Sequence, residues 1–168
     1  MPAHVEVVRG DITTQQVDAV VNAANPAMRG GGGVDGAIHR VGGPQVLREC
    51  VQRFPDGLAT GTAGWTSAGD LPARHVIHVV GPDRRAGQSD PELLVSCYRE
   101  ALRVADELDA QTLAAPLVSA GVYGWPLDDA ARIAVETVLT TETWVTTVRF
   151  VAFGADAEAA LRTALRSA

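Results

Sequence analysis

Ala19-Val20-Val21-Asn22-Ala23-Ala24-Asn25-Pro26, followed three residues later by Gly30-Gly31-Gly32-Gly33-Val34-Asp35-Gly36, decides how the chain is read. The first part is short and apolar, with the β-branched content of a buried strand. Four successive glycines then need a reason, because glycine loses more conformational freedom on folding than any other residue. Such a run suits a backbone that takes positive φ or lies against another molecule. Its consecutive amides can form an anion-holding concavity, and the following helix start adds free NH groups and partial positive charge. The stretch therefore reads as a strand end feeding a phosphate-binding loop. A G-x-G-x-x-G spacing falls at Gly31, Gly33 and Gly36. A dinucleotide dehydrogenase, however, places its first glycine directly after the strand and an acid about 20 residues on, at the end of the next strand. Here residues 26–29 intervene and the later region is helix-like, so phosphate binding fits and nicotinamide redox chemistry does not.

Outward from this loop, strands are expected at residues 5–9, 19–24, 63–67, 75–80, 112–117 and 147–153, and helices at 34–53, 91–108, 127–139 and 156–166. In the second helix Leu93, Cys97, Ala101, Ala105 and Leu108 recur at steps of four and three, which gives one packed face. Strands alternating with helices, several of them apolar on both faces, imply a central mixed sheet covered on both sides, an α/β/α three-layer α/β fold. Such folds bind ligands at the carboxyl ends of strands. A length of 168 residues suits a single domain spanning 1–168, with no repeat or linker.

Composition removes whole classes of chemistry. All 14 basic residues are arginine, so neither a Schiff-base lysine nor the lysine of a P-loop is present. A formal charge of -6 argues against an extended nucleic-acid surface. Cys50 and Cys97 lie 47 positions apart without metal-ligand spacing and read as core thiols, and His4, His75 and His78 show no ligand-like pairing. No metal and no cofactor are expected. No apolar run is long enough to cross a membrane, and a cytoplasmic monomer is the default expectation.

Asp35, at the helix start, suits a cap, yet beside a phosphate loop it can also hold a ribose hydroxyl or orient a water. Asn25 offers a neutral donor and acceptor suited to sugar hydroxyls, against the alternative of an Asx turn before Pro26. His39, one turn beyond Asp35, either shares that network or is structural. These residues resemble a known family. Gly10-Asp11-Ile12-Thr13, the run 18–25, the run 30–40, Val76-Ile77-His78-Val79-Val80-Gly81-Pro82 and Ser119-Ala120-Gly121-Val122-Tyr123-Gly124-Trp125-Pro126 closely resemble the MacroD-type branch of the macrodomains.

That resemblance implies an ADP-ribose-binding hydrolase. Its substrates would be mono-ADP-ribosylated proteins, with the modification ester-linked to acidic side chains, or O-acetyl-ADP-ribose. By similarity Asp11 receives the adenine amine, the Ile12 backbone meets the base and Phe153 packs on its face. The amides of Gly31, Gly32, Gly33 and Val34 hold one phosphate, and those of Ser119, Ala120, Gly121, Val122 and Tyr123 hold the other. Asn25 and Asp35 are the implied catalytic pair at the distal ribose, with Tyr123 beside it. A module that only reads ADP-ribose would need the same adenine and phosphate contacts. The chain departs from the branch's pattern at Ala120, Trp125 and residues 64–70, and these departures are expected to reshape the distal-ribose mouth.

Overall fold

The computed structural model describes all 168 residues. Six strands, β1 (His4–Arg9), β2 (Ala19–Ala24), β3 (Ala63–Ser67), β4 (His75–Val80), β5 (Thr112–Ala115) and β6 (Thr147–Ala152), form one sheet in the order β1-β6-β5-β2-β4-β3. Every pairing is parallel except β3 with β4, so the sheet is mixed and only its β3 edge runs backwards. Five helices cover it: α1 (Gly33–Gly42), α2 (Pro44–Arg53), α3 (Pro91–Glu107), α4 (Leu127–Thr140) and α5 (Ala155–Ser167). The chain has the expected three-layer architecture.

Strand alternation divides the core in two. Val21, Ile77, Leu113, Val148 and Phe150 belong to the larger cluster with α3, α4 and α5, while Val20, Val76, Ala114 and Val151 pack with Ile38 of α1. Asn22 lies two positions from Val20, and His78 two from Val76, so both polar side chains fall on the thinner, α1-facing side. In α3 the buried face is centred on Leu94, Cys97, Tyr98, Ala101 and Ala105; Leu93 and Leu108 are only half-buried at its margins. Both cysteines are buried and free. No helix is long and apolar enough to cross a membrane.

Three expected boundaries shift for local reasons. The helix expected over 34–53 is two helices, because Gly43 takes φ 85° and Pro44 starts the second. The Gly43 amide caps the first by donating to the His39 carbonyl, and no L side chain favours that backbone. The strand expected to reach residue 117 ends at Ala115, since Pro116 has no amide for the ladder. The last strand ends at Ala152 and leaves Phe153 outside it.

Candidate active site

One edge of this sheet collects the carboxyl ends of all five parallel strands. There a cavity of about 600 Å3 is lined by Gly10 to Ile12 after β1, Ala23 to Asn25 at the end of β2, Gly81 after β4, Val118 and Ser119 beyond β5, and Val151 and Phe153 at the end of β6. Gly31 to Asp35 and Arg40 close it on the α1 side, with Gly121 to Tyr123 opposite. Every site residue proposed from the sequence lines this cavity except Ala120, whose methyl packs partly against the main core.

The loop entering α1 is fastened before the glycines begin. Asn25 Oδ1 accepts the Met28 amide at 3.2 Å, and its Nδ2 donates to the Gly30 carbonyl at 3.0 Å, so the Asx-turn reading is realised while the residue still lines the cavity. The Arg29 guanidinium donates to the carbonyls of Ala27, Met28, Phe54 and Pro55. Met28 is buried at φ 59°, an uncommon backbone for a residue with a side chain, and these bonds hold it there. The glycine run then folds back over the helix it precedes. A Cβ on Gly36 would stand 2.5 Å from the Gly31 carbonyl oxygen, so only glycine fits beneath this loop.

Asp35 is not the helix cap. Gly32 occupies that position with no side-chain bond, and Asp35 lies within the first turn, where its charge still favours the helix dipole. Its Oδ1 accepts Asn22 Nδ2 at 2.7 Å, with His39 Nε2 at 3.4 Å. Oδ2 is buried and has no partner. A Cβ built on Gly31 would meet Asn25 Nδ2 and Asp35 Oδ2 at 3.2 Å each, so the two side chains converge beneath that glycine. A buried unpaired carboxylate oxygen is costly, and its natural complement is a donor brought in by a ligand or by water. His39 shares this network.

Sequence reasoning missed what supports Asp35 from below. Asn22 and His78 are register partners on β2 and β4, both fully buried, and Asn22 Nδ2 lies 3.0 Å from His78 Nδ1. On the other side of the ring, His78 Nε2 lies 3.0 Å from Thr66 Oγ1 on β3 and 3.8 Å from Cys50 Sγ. Burial pushes His78 down from an ordinary 6.5 to about 3. The folded ring therefore stays neutral where the unfolded one takes up a proton. Between about pH 6.5 and 3 the unfolded chain binds more protons, so stability falls with falling pH by up to about 1.4 kcal/mol per unit. Thermal melts from pH 7 to pH 5 should show a falling Tm, and His78→Asn should flatten that fall.

The opposite walls differ in character. Asp11 caps a short 3-10 turn (Ile12–Thr14): its Oδ1 accepts the Thr13 hydroxyl at 2.6 Å and the Thr13 amide at 2.9 Å, which together hold its carboxyl below the ordinary value. Ser119 adopts φ 68°, and its buried Oγ has no partner. It presses so closely on Gly81 that no side chain fits at position 81. Burial pushes the Tyr123 phenol up. Phe153 and Val122, from different walls, are 90% and 75% exposed, an apolar rim with nothing of its own chain to cover it.

Ala120, Trp125 and residues 64–70, where the chain departs from the branch's pattern, are not among the residues that line the cavity. Trp125 is buried, and its Nε1 donates to the Pro82 carbonyl at 3.0 Å. Trp65 lies on the edge strand with the Arg53 guanidinium 3.9 Å above its ring. No three His, Cys, Asp or Glu side chains converge as metal ligands.

A three-layer fold with two amide-rich loops at the carboxyl ends of its strands and a buried carboxylate between them has the arrangement of an α/β ligand-binding domain. The Macro domain family matches residues 21–134, and the chain belongs to that family. It is 60% identical over 157 residues to a Macro domain-containing protein of Streptomyces coelicolor, SCO6450, covering 91% of this chain and 93% of that one. It is 52% identical over 141 residues to an Enterobacter protein named O-acetyl-ADP-ribose deacetylase, covering 82% and 78% of the two chains. The Trypanosoma brucei macrodomain solved in complex with ADP-ribose superposes with a TM-score of 0.88 at 40% identity, covering 95% of this chain and 68% of that one.

Proposed function

We propose that this protein binds ADP-ribose and hydrolyses its acyl esters, releasing mono-ADP-ribose from acidic side chains or from O-acetyl-ADP-ribose. The observation that carries the reading is Asp35 Oδ2, a buried carboxylate oxygen without a partner, converging with the Asn25 amide beneath Gly31. A cavity of about 600 Å3 matches a ligand of nucleotide-sugar size. The names and bound ligand of the relatives supply the identity of that ligand.

In this reading the adenine amine meets Asp11, whose Oδ1 is bonded to Thr13 while Oδ2 is available, and the Ile12 backbone also meets the base. Phe153 covers the face of the base, which accounts for an aromatic ring left 90% exposed. The diphosphate lies between the amides of Gly31 to Val34 and those of Ser119 to Tyr123, a grip that needs no lysine. Asn25, Asp35 and Tyr123 then face the distal ribose.

For an ester on the anomeric carbon, water attacks that carbon as its bond to the acyl oxygen breaks. The carboxylate leaves with the bonding electrons, and the water's proton passes to Asp35 or to an inner phosphate oxygen. No oxidation state changes and the carboxylate is a good leaving group, so the step calls for neither a metal nor a redox cofactor. Pre-organisation of water and ribose by the fixed Asn25 and Asp35 supplies the rate.

The test is turnover. Incubation with a protein carrying ADP-ribose on glutamate should release it, and ADP-ribose should raise the Tm more than the oxidised nicotinamide cofactor does. Stabilisation without release would make the protein a reader. Absence of both release and stabilisation would overturn the assignment.

A further inference from the structure

The hydrogen-bond chain behind Asp35 has a direction, and each bond fixes the next. Thr66 Oγ1 lies 2.9 Å from the Ser67 carbonyl, an oxygen that can only accept, so the Thr66 hydroxyl proton points there. Thr66 is then an acceptor toward His78 Nε2, 3.0 Å away, and that nitrogen must carry the ring's proton. A neutral ring protonated at Nε2 has a bare lone pair at Nδ1. Asn22 must therefore turn its amide nitrogen, not its oxygen, toward His78 at 3.0 Å, and the second amide proton falls on Asp35 Oδ1 at 2.7 Å. The reverse orientation would set the Asn22 oxygen against the carboxylate. The cost of this arrangement is visible, because the Asn22 oxygen is left buried without a partner.

We propose that Thr66 and His78, neither of which lines the cavity, are positioning residues for Asp35. Together they hold Asn22 as a donor, which ties down Asp35 Oδ1 and leaves Oδ2 as the oxygen presented to the substrate. The chain crosses three strands, β3, β4 and β2, so the antiparallel edge strand takes part in the site without touching it. Cys50 Sγ, 3.8 Å from His78 Nε2, is within sulfur's longer hydrogen-bond range, but it is a weaker acceptor than the Thr66 oxygen at 3.0 Å. The kinetic consequence rests on the hydrolase reading above; the protonation of the ring does not.

Two measurements test this. Nitrogen-15 NMR of the histidine rings at pH 7 should find His78 neutral with its proton on Nε2. Thr66→Val, which keeps the side chain's shape and deletes its oxygen, should remove the single tautomer and lower kcat about tenfold, while ADP-ribose Kd stays within about twofold. Thr66→Ser should restore both. His78→Asn, which can offer an amide oxygen near the Nδ1 position, should retain more activity than His78→Leu. A His78 ring protonated at Nδ1 would overturn the proposal whether or not the protein turns over. So would a Thr66→Val protein with wild-type kcat, or one in which kcat and Kd worsen together while Thr66→Ser fails to rescue. An inactive wild type whose ring carries the Nε2 proton would overturn the hydrolase reading and leave the relay standing.

Discussion

Asp35→Ala is expected to lower kcat for release of ADP-ribose from a glutamate ester by at least about 100-fold, with ADP-ribose affinity held within a few-fold. Affinity survives because, in the proposed complex, the two amide loops and the adenine wall supply most contacts to the nucleotide, and none depends on the Asp35 carboxylate. Rate falls because Oδ2 is the unpartnered carboxylate oxygen that converges with Asn25 beneath Gly31. Truncation also strands the Asn22 amide proton now given to Oδ1, so a modest loss of Tm should accompany it. Asp35→Asn separates the two routes for the water's proton. If Asp35 accepts that proton, the amide should be nearly as inactive as alanine. If an inner phosphate oxygen accepts it, the amide should keep most of the rate, since it can still align the ribose. Single-turnover release with both variants, alongside calorimetric titration with ADP-ribose, gives the answer.

The second large effect is expected at Gly36, a residue that touches no ligand in the proposed complex. Its α1 backbone passes directly under the Gly31 carbonyl, and an alanine Cβ at 2.5 Å would force that carbonyl away by roughly 0.9 Å or more before ordinary contact is regained. Gly31 lines the cavity, so its displacement alters the cavity wall. The amides of the run would lose their alignment on the phosphate, so Gly36→Ala should weaken ADP-ribose binding by about 10-fold to 100-fold in calorimetry. Helix propensity favours alanine over glycine here, which opposes any general loss of stability. A folded protein with normal affinity would show that the loop yields without harm.

These two residues mark how far the sequence could be read. Asp35 was legible because a carboxylate beside a glycine run has a chemical use, and the strands around it were legible because short β-branched runs bounded by turn residues leave few alternatives. The break of the first long helix was present in the sequence as Gly42-Gly43-Pro44, a stronger signal than the apolar spacing that suggested continuity. The relay through Thr66, His78 and Asn22 was not legible. These residues are 56, 12 and 44 positions apart in pairs, and only strand register brings them side by side. His75 and His78 resembled each other on paper, yet an odd spacing sends them to opposite faces. One packs edge-on against Trp65 and the other beneath Asp35. Residues 64–70 and Trp125 lie outside the cavity lining for the same reason, since nearness along the chain does not set nearness across the sheet.

The Arg29 clamp carries a consequence of a different kind. Its guanidinium grips four main-chain carbonyls rather than a carboxylate. Attraction between a cation and nearby dipoles, at contact distance, is far less sensitive to dissolved electrolyte than attraction between two separated charges. As ionic strength rises, the ion pairs scattered over the helices fade first, and the shape of the nucleotide-facing edge should outlast them in brine.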